Sequence, residues 1–136
     1  MKNSTLTYVA VATLFSPCLN AVAEENWPQF RGPTGRGHSE AGDLPQKWSA
    51  DSIVWTADLK GTGQSSPVSW GDKLFFTGAS DDGAERYVFC LDRKTGKEIW
   101  MKTIPCQKPE EAHKMNSRAT PSCATDGETV VAFFGP

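Results

Sequence analysis

At 136 residues with a formal net charge of −2, the chain is long enough for one ordinary domain, and its charge balance does not favour nucleic acid or an anionic membrane as a partner. Its basic residues are scattered among acidic ones, as on an ordinary solvated surface. No window carries apolar residues at sustained three- and four-residue spacing, which excludes long amphipathic helices.

The first segment has the layout of a secretory leader. Lys2 gives a short positive start. Leu6 to Phe15 form an apolar run broken only by Thr7 and Thr13, and Ala21-Val22-Ala23 offers a small-residue cleavage site before Glu24-Glu25. The run is too short to span a bilayer. Lipoprotein processing at Cys18 is disfavoured by Pro17, which stands where a small residue is needed. Residues 1–23 are therefore expected to be removed on export, leaving a chain without a transmembrane segment in the periplasm or outside the cell.

Residues 24–64 read as an N-terminal strap. Asn26-Trp27-Pro28-Gln29-Phe30-Arg31-Gly32-Pro33, followed by Thr34-Gly35-Arg36-Gly37, holds too much Gly and Pro for a long regular element. Trp27 and Phe30 nevertheless need cover, which implies an ordered segment laid across something else. Trp48 and Trp55 follow, and Ile53-Val54-Trp55-Thr56-Ala57 is predicted as a short strand. Gly61-Thr62-Gly63-Gln64-Ser65-Ser66 has the look of a phosphate cradle. It lacks the Gly-Lys-Ser/Thr ending and precedes a strand, not a helix, so it is read as a turn.

From Ser65 the punctuation becomes regular. Pro67-Val68-Ser69-Trp70 is predicted as a strand, Gly71-Asp72 as a hairpin turn and Lys73-Leu74-Phe75-Phe76-Thr77 as the returning strand. A polar loop, Gly78 to Glu85, contains Asp81-Asp82-Gly83, which has neither the onward spacing nor the terminal Glu of an EF-hand. Tyr87-Val88-Phe89-Cys90-Leu91 and Glu98-Ile99-Trp100-Met101 form the next pair of strands. Between them Asp92 is placed to accept from the turn's amides, with Thr95 in support, and Gly96 supplies the positive φ that closes the turn. Residues 65–105 thus make a four-stranded antiparallel unit, of about the 40-residue size found in propeller repeats.

Residues 106–118 form a polar insertion. Its stretch from Pro109 to Ser117 includes His113 and is the loop where binding contacts are first sought. The pattern then restarts over 119–136. Ala119-Thr120-Pro121-Ser122 echoes Ser65-Ser66-Pro67-Val68, Asp126-Gly127 takes the place of Gly71-Asp72, and Val130-Val131-Ala132-Phe133-Phe134 matches the strand around Leu74-Phe75-Phe76. The chain is read as the N-terminal piece of a longer protein, holding about one and a half such units.

The run Cys90-Leu91-Asp92-Arg93-Lys94-Thr95-Gly96-Lys97-Glu98-Ile99-Trp100 resembles the signature of the pyrroloquinoline-quinone-like (PQQ-like) β-propeller repeat, Ala-x-Asp-x-x-Thr-Gly-x-x-x-Trp. Asp92, Thr95, Gly96 and Trp100 match, and Cys90 stands in the place of the alanine. The block Asn26 to Pro33, then Leu44-Pro45 and Trp48, then Ser65-Ser66-Pro67-Val68, is similar to secreted members of that family. The resemblance implies an all-β propeller of four-stranded antiparallel blades, seven or eight in the family, with Trp100 docked between neighbouring blades. Blade one would be 65–105, and 119–136 the first hairpin of blade two.

The same fold serves quinone-dependent alcohol and sugar dehydrogenases and a non-catalytic propeller lipoprotein of the outer-membrane barrel-assembly machinery. In the dehydrogenases the quinone lies beside a calcium ion, a base aspartate and an adjacent-cysteine disulfide. This chain has no Cys-Cys pair, and none of its residues matches a calcium ligand or the base. The expectation is a non-catalytic exported scaffold that binds a protein or polysaccharide partner in the cell envelope, with no cofactor, metal or catalytic residue assigned here. The alternative is a PQQ- and calcium-dependent alcohol or sugar dehydrogenase whose active site lies past Pro136.

Cys90, Cys106 and Cys123 remain after the leader, so an oxidising compartment permits one disulfide. Cys90 lies inside a predicted strand and reads as a small buried hydrophobe. Cys106 and Cys123, near predicted strand ends, are the more favoured pair if a bond forms. His38 and His113 lack partners at metal or triad spacing and are read as surface residues. Arg31 and Arg36 are candidates to grip a carboxylate or a glycan, against the simpler reading that they bond local carbonyls.

Overall fold

Alternating apolar side chains between glycine-bearing turns draw the stretch from Val68 to Pro105 into one antiparallel sheet. The computed structural model describes residues 26–42, 44–113 and 115–135, so the leader expected over 1–23 lies outside the described residues. The sheet is β1 (Val68–Trp70), β2 (Lys73–Ala79), β3 (Glu85–Asp92) and β4 (Glu98–Pro105), in that spatial order. A separate hairpin pairs β5 (Ala124–Thr125) with β6 (Val130–Val131). One 3₁₀ turn, Ala50–Ser52, is the only helical element among the described residues. None of their helices is long and apolar enough to cross a membrane. The chain is all-β.

The register fixes the two faces of the sheet. Phe75 lies opposite Cys90, and Thr77 opposite Val88; the alternate pairs are Leu74 with Leu91 and Phe76 with Phe89. Val68, Phe75, Val88 and Cys90 form a buried cluster on one face, joined by Cys123 from the segment before β5. Trp100, Val130, Ala132 and Phe134 pack around it, so this face is covered by the second hairpin. The other face carries Phe76 and Phe89, whose rings stack with centroids 5.3 Å apart, and Tyr87, whose ring centroid is 6.0 Å from that of Phe89.

One irregularity decides where Trp100 points. The β3–β4 register shifts between Cys90 and Leu91: Cys90 faces Trp100, but Leu91 faces Glu98, leaving Ile99 as the extra residue of a bulge. The bulge lets Trp100 share the face of Cys90 and lie 6.0 Å from Phe75, ring centroid to ring centroid.

The strap is tied to the free edge of β1. Trp27 and Ser69 exchange both backbone hydrogen bonds, at 2.9 and 2.8 Å, and the Asn26 side chain accepts from the Gly71 amide at 2.8 Å. One residue on, the Pro28 carbonyl accepts from Thr125 N–H at 2.9 Å, so the strap spans β1 and β5. Trp27 obtains its cover from Gly32, where an added Cβ would lie 2.8 Å from the indole.

The short strand predicted over Ile53–Ala57 is not formed. This segment lies outside every strand. Trp55 instead anchors it by donating its indole N–H to the Arg93 carbonyl at 3.0 Å. Pairing begins later, at the isolated bridge between Thr62 and Ala79. Strand β2 also runs on through Gly78 and Ala79, two residues of the stretch expected to be loop.

Candidate functional site

The turn after β3 is built around one carboxylate. Asp92 Oδ1 accepts from Lys94 N–H at 3.1 Å, Thr95 N–H at 2.8 Å and the Thr95 hydroxyl at 2.8 Å. The Asp92 carbonyl takes the Gly96 amide at 2.8 Å, with Gly96 at φ 69. These donors favour the ionised carboxylate, and the Thr95 hydroxyl leads them in holding Asp92 below the usual aspartate range. Asp126 is held low in the same way by the amides of Thr129 and Glu128. Gly96 has a second role: the Trp55 ring lies where a Cβ would project. Asp92, Thr95 and Gly96 form a hydrogen-bonded turn that seats an indole.

Gly61 and Gly63 flank the Thr62–Ala79 bridge, and neither has room for a side chain. A Cβ on Gly63 would lie 2.5 Å from the Thr77 carbonyl oxygen, and one on Gly61 would overlap the Ala79 carbonyl. The glycines serve close backbone approach to β2, consistent with a turn and not an anion cradle. Between residues 55–63 and the sheet lies a cavity of about 300 Å³, walled by Trp55, Leu74, Phe76, Phe89 and Leu91.

The insertion loop is pinned to the β2–β3 loop by two arginines. Arg86, buried in β3, bonds Glu110 at 2.7 Å and the Gly83 carbonyl at 2.5 Å. Arg118 donates to the Glu110 carbonyl at 3.1 Å and the Asp81 carbonyl at 2.6 Å. His113 is exposed, and its Nδ1 accepts from the Met115 amide at 3.3 Å, so it supports its own loop. His38 and Arg36 are exposed on the strap.

Where the strap meets the entries to both hairpins, a groove of about 340 Å³ opens between Phe30, Gln64, Ser66, Thr120, Pro121 and Ser122. The Gln64 amide is fixed: it donates to the Met115 carbonyl at 3.1 Å and accepts from Ser117 N–H at 2.9 Å. The Ser122 hydroxyl accepts from the Ser66 amide at 2.9 Å, joining the two Ser/Thr-Pro segments that the sequence repeats. Thr77, buried in β2, donates to the Pro121 carbonyl at 3.0 Å and holds the same junction from below. Phe30 stands at the edge, 57% exposed, with the Arg31 guanidinium 5.4 Å from its ring centroid. Arg31 has φ 63, the only positive value at a non-glycine among the described residues, a backbone cost of about 1–3 kcal/mol. This groove is lined by hydroxyl and amide groups able to bond a ligand, and the sequence did not single out Gln64, Ser66, Thr120 or Ser122 as a set.

Comparison of the chain with protein-family models, characterised proteins and solved structures returns no match.

Cys90, Cys106 and Cys123 are all free thiols in the structure, Cys106 and Cys123, the pair favoured if a bond forms, included. Cys123 is committed to the core, while Cys106 sits just past β4 beside Pro105 and Glu110, its amide donating to Ala84 at 2.8 Å. Burial pushes the Cys123 thiol up to about 11 and raises that of Cys90, the latter opposed in part by Lys73. Both are protonated at neutral pH and shielded, and the thiolate is the reactive form. With iodoacetamide at pH 8, the native protein is expected to label at Cys106 alone. Cys90 and Cys123 should react only in denaturant, as read by peptide mass spectrometry.

Proposed function

We propose that the chain is part of an exported PQQ-like β-propeller, a non-catalytic scaffold that binds a protein or polysaccharide partner in the cell envelope. Residues 65–105 are then one blade and 119–136 the start of the next. The observation that carries this reading is the position of Trp100, the last residue of the repeat signature. It packs on Phe75 of its own sheet and belongs to the same cluster as Val130, Ala132 and Phe134 of the following hairpin. The repeated Ser/Thr-Pro segments meet at Ser66 and Ser122, as successive copies of one unit would. The signature turn supports the same reading, since its residues are spent on turn geometry and on seating Trp55.

Calorimetric titration of PQQ with calcium into the full-length protein tests this. The scaffold reading expects no saturable heat from protein shown to be folded. Stoichiometric, calcium-dependent binding overturns it in favour of the dehydrogenase.

A further inference from the structure

We propose that the groove between Phe30, Gln64, Ser66, Thr120 and Ser122 binds a neutral sugar unit of a polysaccharide. The inference rests on the scaffold reading and narrows its partner to a glycan held at one place.

The lining selects the ligand class. Four of the six residues around the groove carry hydroxyl or amide side chains, and none is charged. An inorganic anion would find no cation in the lining, the Arg31 guanidinium lying over the Phe30 ring, and a metal ion no carboxylate, thiolate or imidazole. A wholly apolar ligand would strip water from hydroxyls and an amide without replacing their hydrogen bonds. A pyranose meets both halves of the site. Its C–H face covers an exposed aromatic ring, and its hydroxyls both donate and accept.

The bonding capacity is present and held in place. The Ser66 hydroxyl makes no hydrogen bond among the described residues, and the Ser122 hydroxyl accepts from Ser66 N–H while its own hydrogen remains uncommitted. Gln64 is clamped at both ends of its amide and keeps a second N–H. Groups already ordered lose little freedom on binding, which is the condition for affinity from a small contact. Phe30 remains 57% exposed in a strap that buries Gly32 beneath Trp27, so one aromatic is spent on folding and the other is left on the surface. The volume of about 340 Å³ is that of a small-ligand pocket and too small for a folded partner.

The test titrates full-length protein by calorimetry with three neutral hexasaccharides, of β-linked glucose, of mannose and of N-acetylglucosamine. Saturable binding of at least one is expected, at a Kd of about 10 μM to 1 mM, the range of a single small site. Phe30→Ala should weaken it by about tenfold or more and Ser66→Ala by about threefold, in keeping with loss of an aromatic anchor and of one hydrogen bond. Val54→Ala, at an exposed position away from the groove, should leave it unchanged. Phe30 is exposed and the Ser66 hydroxyl is unbonded, so both variants are expected to keep the wild-type melting temperature. The proposal is overturned by no saturable binding of any of the three, or by binding that both variants leave intact. Either result leaves the scaffold reading standing, because that reading is decided by the quinone titration.

Discussion

Replacing Gly61 by alanine is expected to cost about 3–4 kcal/mol. Gly61 has φ 75, and the left-handed region costs an L-residue about 1–2 kcal/mol. The new Cβ would also overlap the Ala79 carbonyl, a backbone atom that cannot swing aside as a side-chain tip would. Relief requires Gly61 to withdraw from β2. That opens the Thr62–Ala79 bridge, with its two bonds of 2.9 and 2.8 Å, at about 1 kcal/mol each. Against a typical stability of about 5–15 kcal/mol this is a large fraction, and a clear fall in melting temperature should follow. Gly35 is the control. Its φ is 68, but nothing lies within 4 Å of an added Cβ, so Gly35→Ala should show the backbone cost alone. Equal losses for the two variants would mean that close approach to β2 contributes nothing.

The same glycine shows what a sequence discloses. Gly61-Thr62-Gly63 announces a special backbone, and the absence of a following helix removes the anion-binding reading. Nothing in the residues, however, says that the special backbone lies against Thr77 and Ala79. The four strands of the main sheet were legible because their alternation is local and their turns carry the residues that turns require, Gly71-Asp72 and Asp92 to Gly96. Ile53–Ala57 carries an equally good strand pattern, yet it joins no strand or bridge. A strand needs a neighbouring edge, and alternation describes only the chain that would offer one. The bulge at Ile99 was likewise hidden, because one extra residue leaves composition unchanged while reversing the face that follows. The groove was the least legible feature. Phe30, Gln64, Ser66, Thr120 and Ser122 come from three separated stretches, and only the echo between Ser65-Ser66-Pro67 and Thr120-Pro121-Ser122 hinted that two of them correspond. The thiols follow the same rule: spacing along the chain carries no distance, and burial of Cys123 was decided by a face that the hairpin covers.

Trp100→Ala should separate the two halves of the second hairpin's attachment. Truncating a fully buried Trp costs about 3–5 kcal/mol, and the partial exposure of Trp100 brings the loss below that, to about 2–3 kcal/mol. What it removes is the ring between Phe75 and the cluster of Val130, Ala132 and Phe134. The other half of the attachment does not depend on that ring. Thr77 to the Pro121 carbonyl, Ser66 N–H to Ser122 and Thr125 N–H to the Pro28 carbonyl are three bonds worth about 1 kcal/mol each. The two contributions are of similar size, so neither alone decides whether the hairpin stays. Hydrogen exchange on the variant is expected to lose protection over residues 130–134 while the amides of Ser66 and Thr125 stay slow. Trp100→Phe, which keeps an aromatic against Phe75, should recover most of it. Uniform loss over both regions would show instead that the ring holds the whole hairpin and that the polar junction forms only once it is seated. If protection over 130–134 did not change, Trp100 would be a passenger on the sheet, and the packing that joins the sheet to the hairpin would have to lie with Cys123 and Val68.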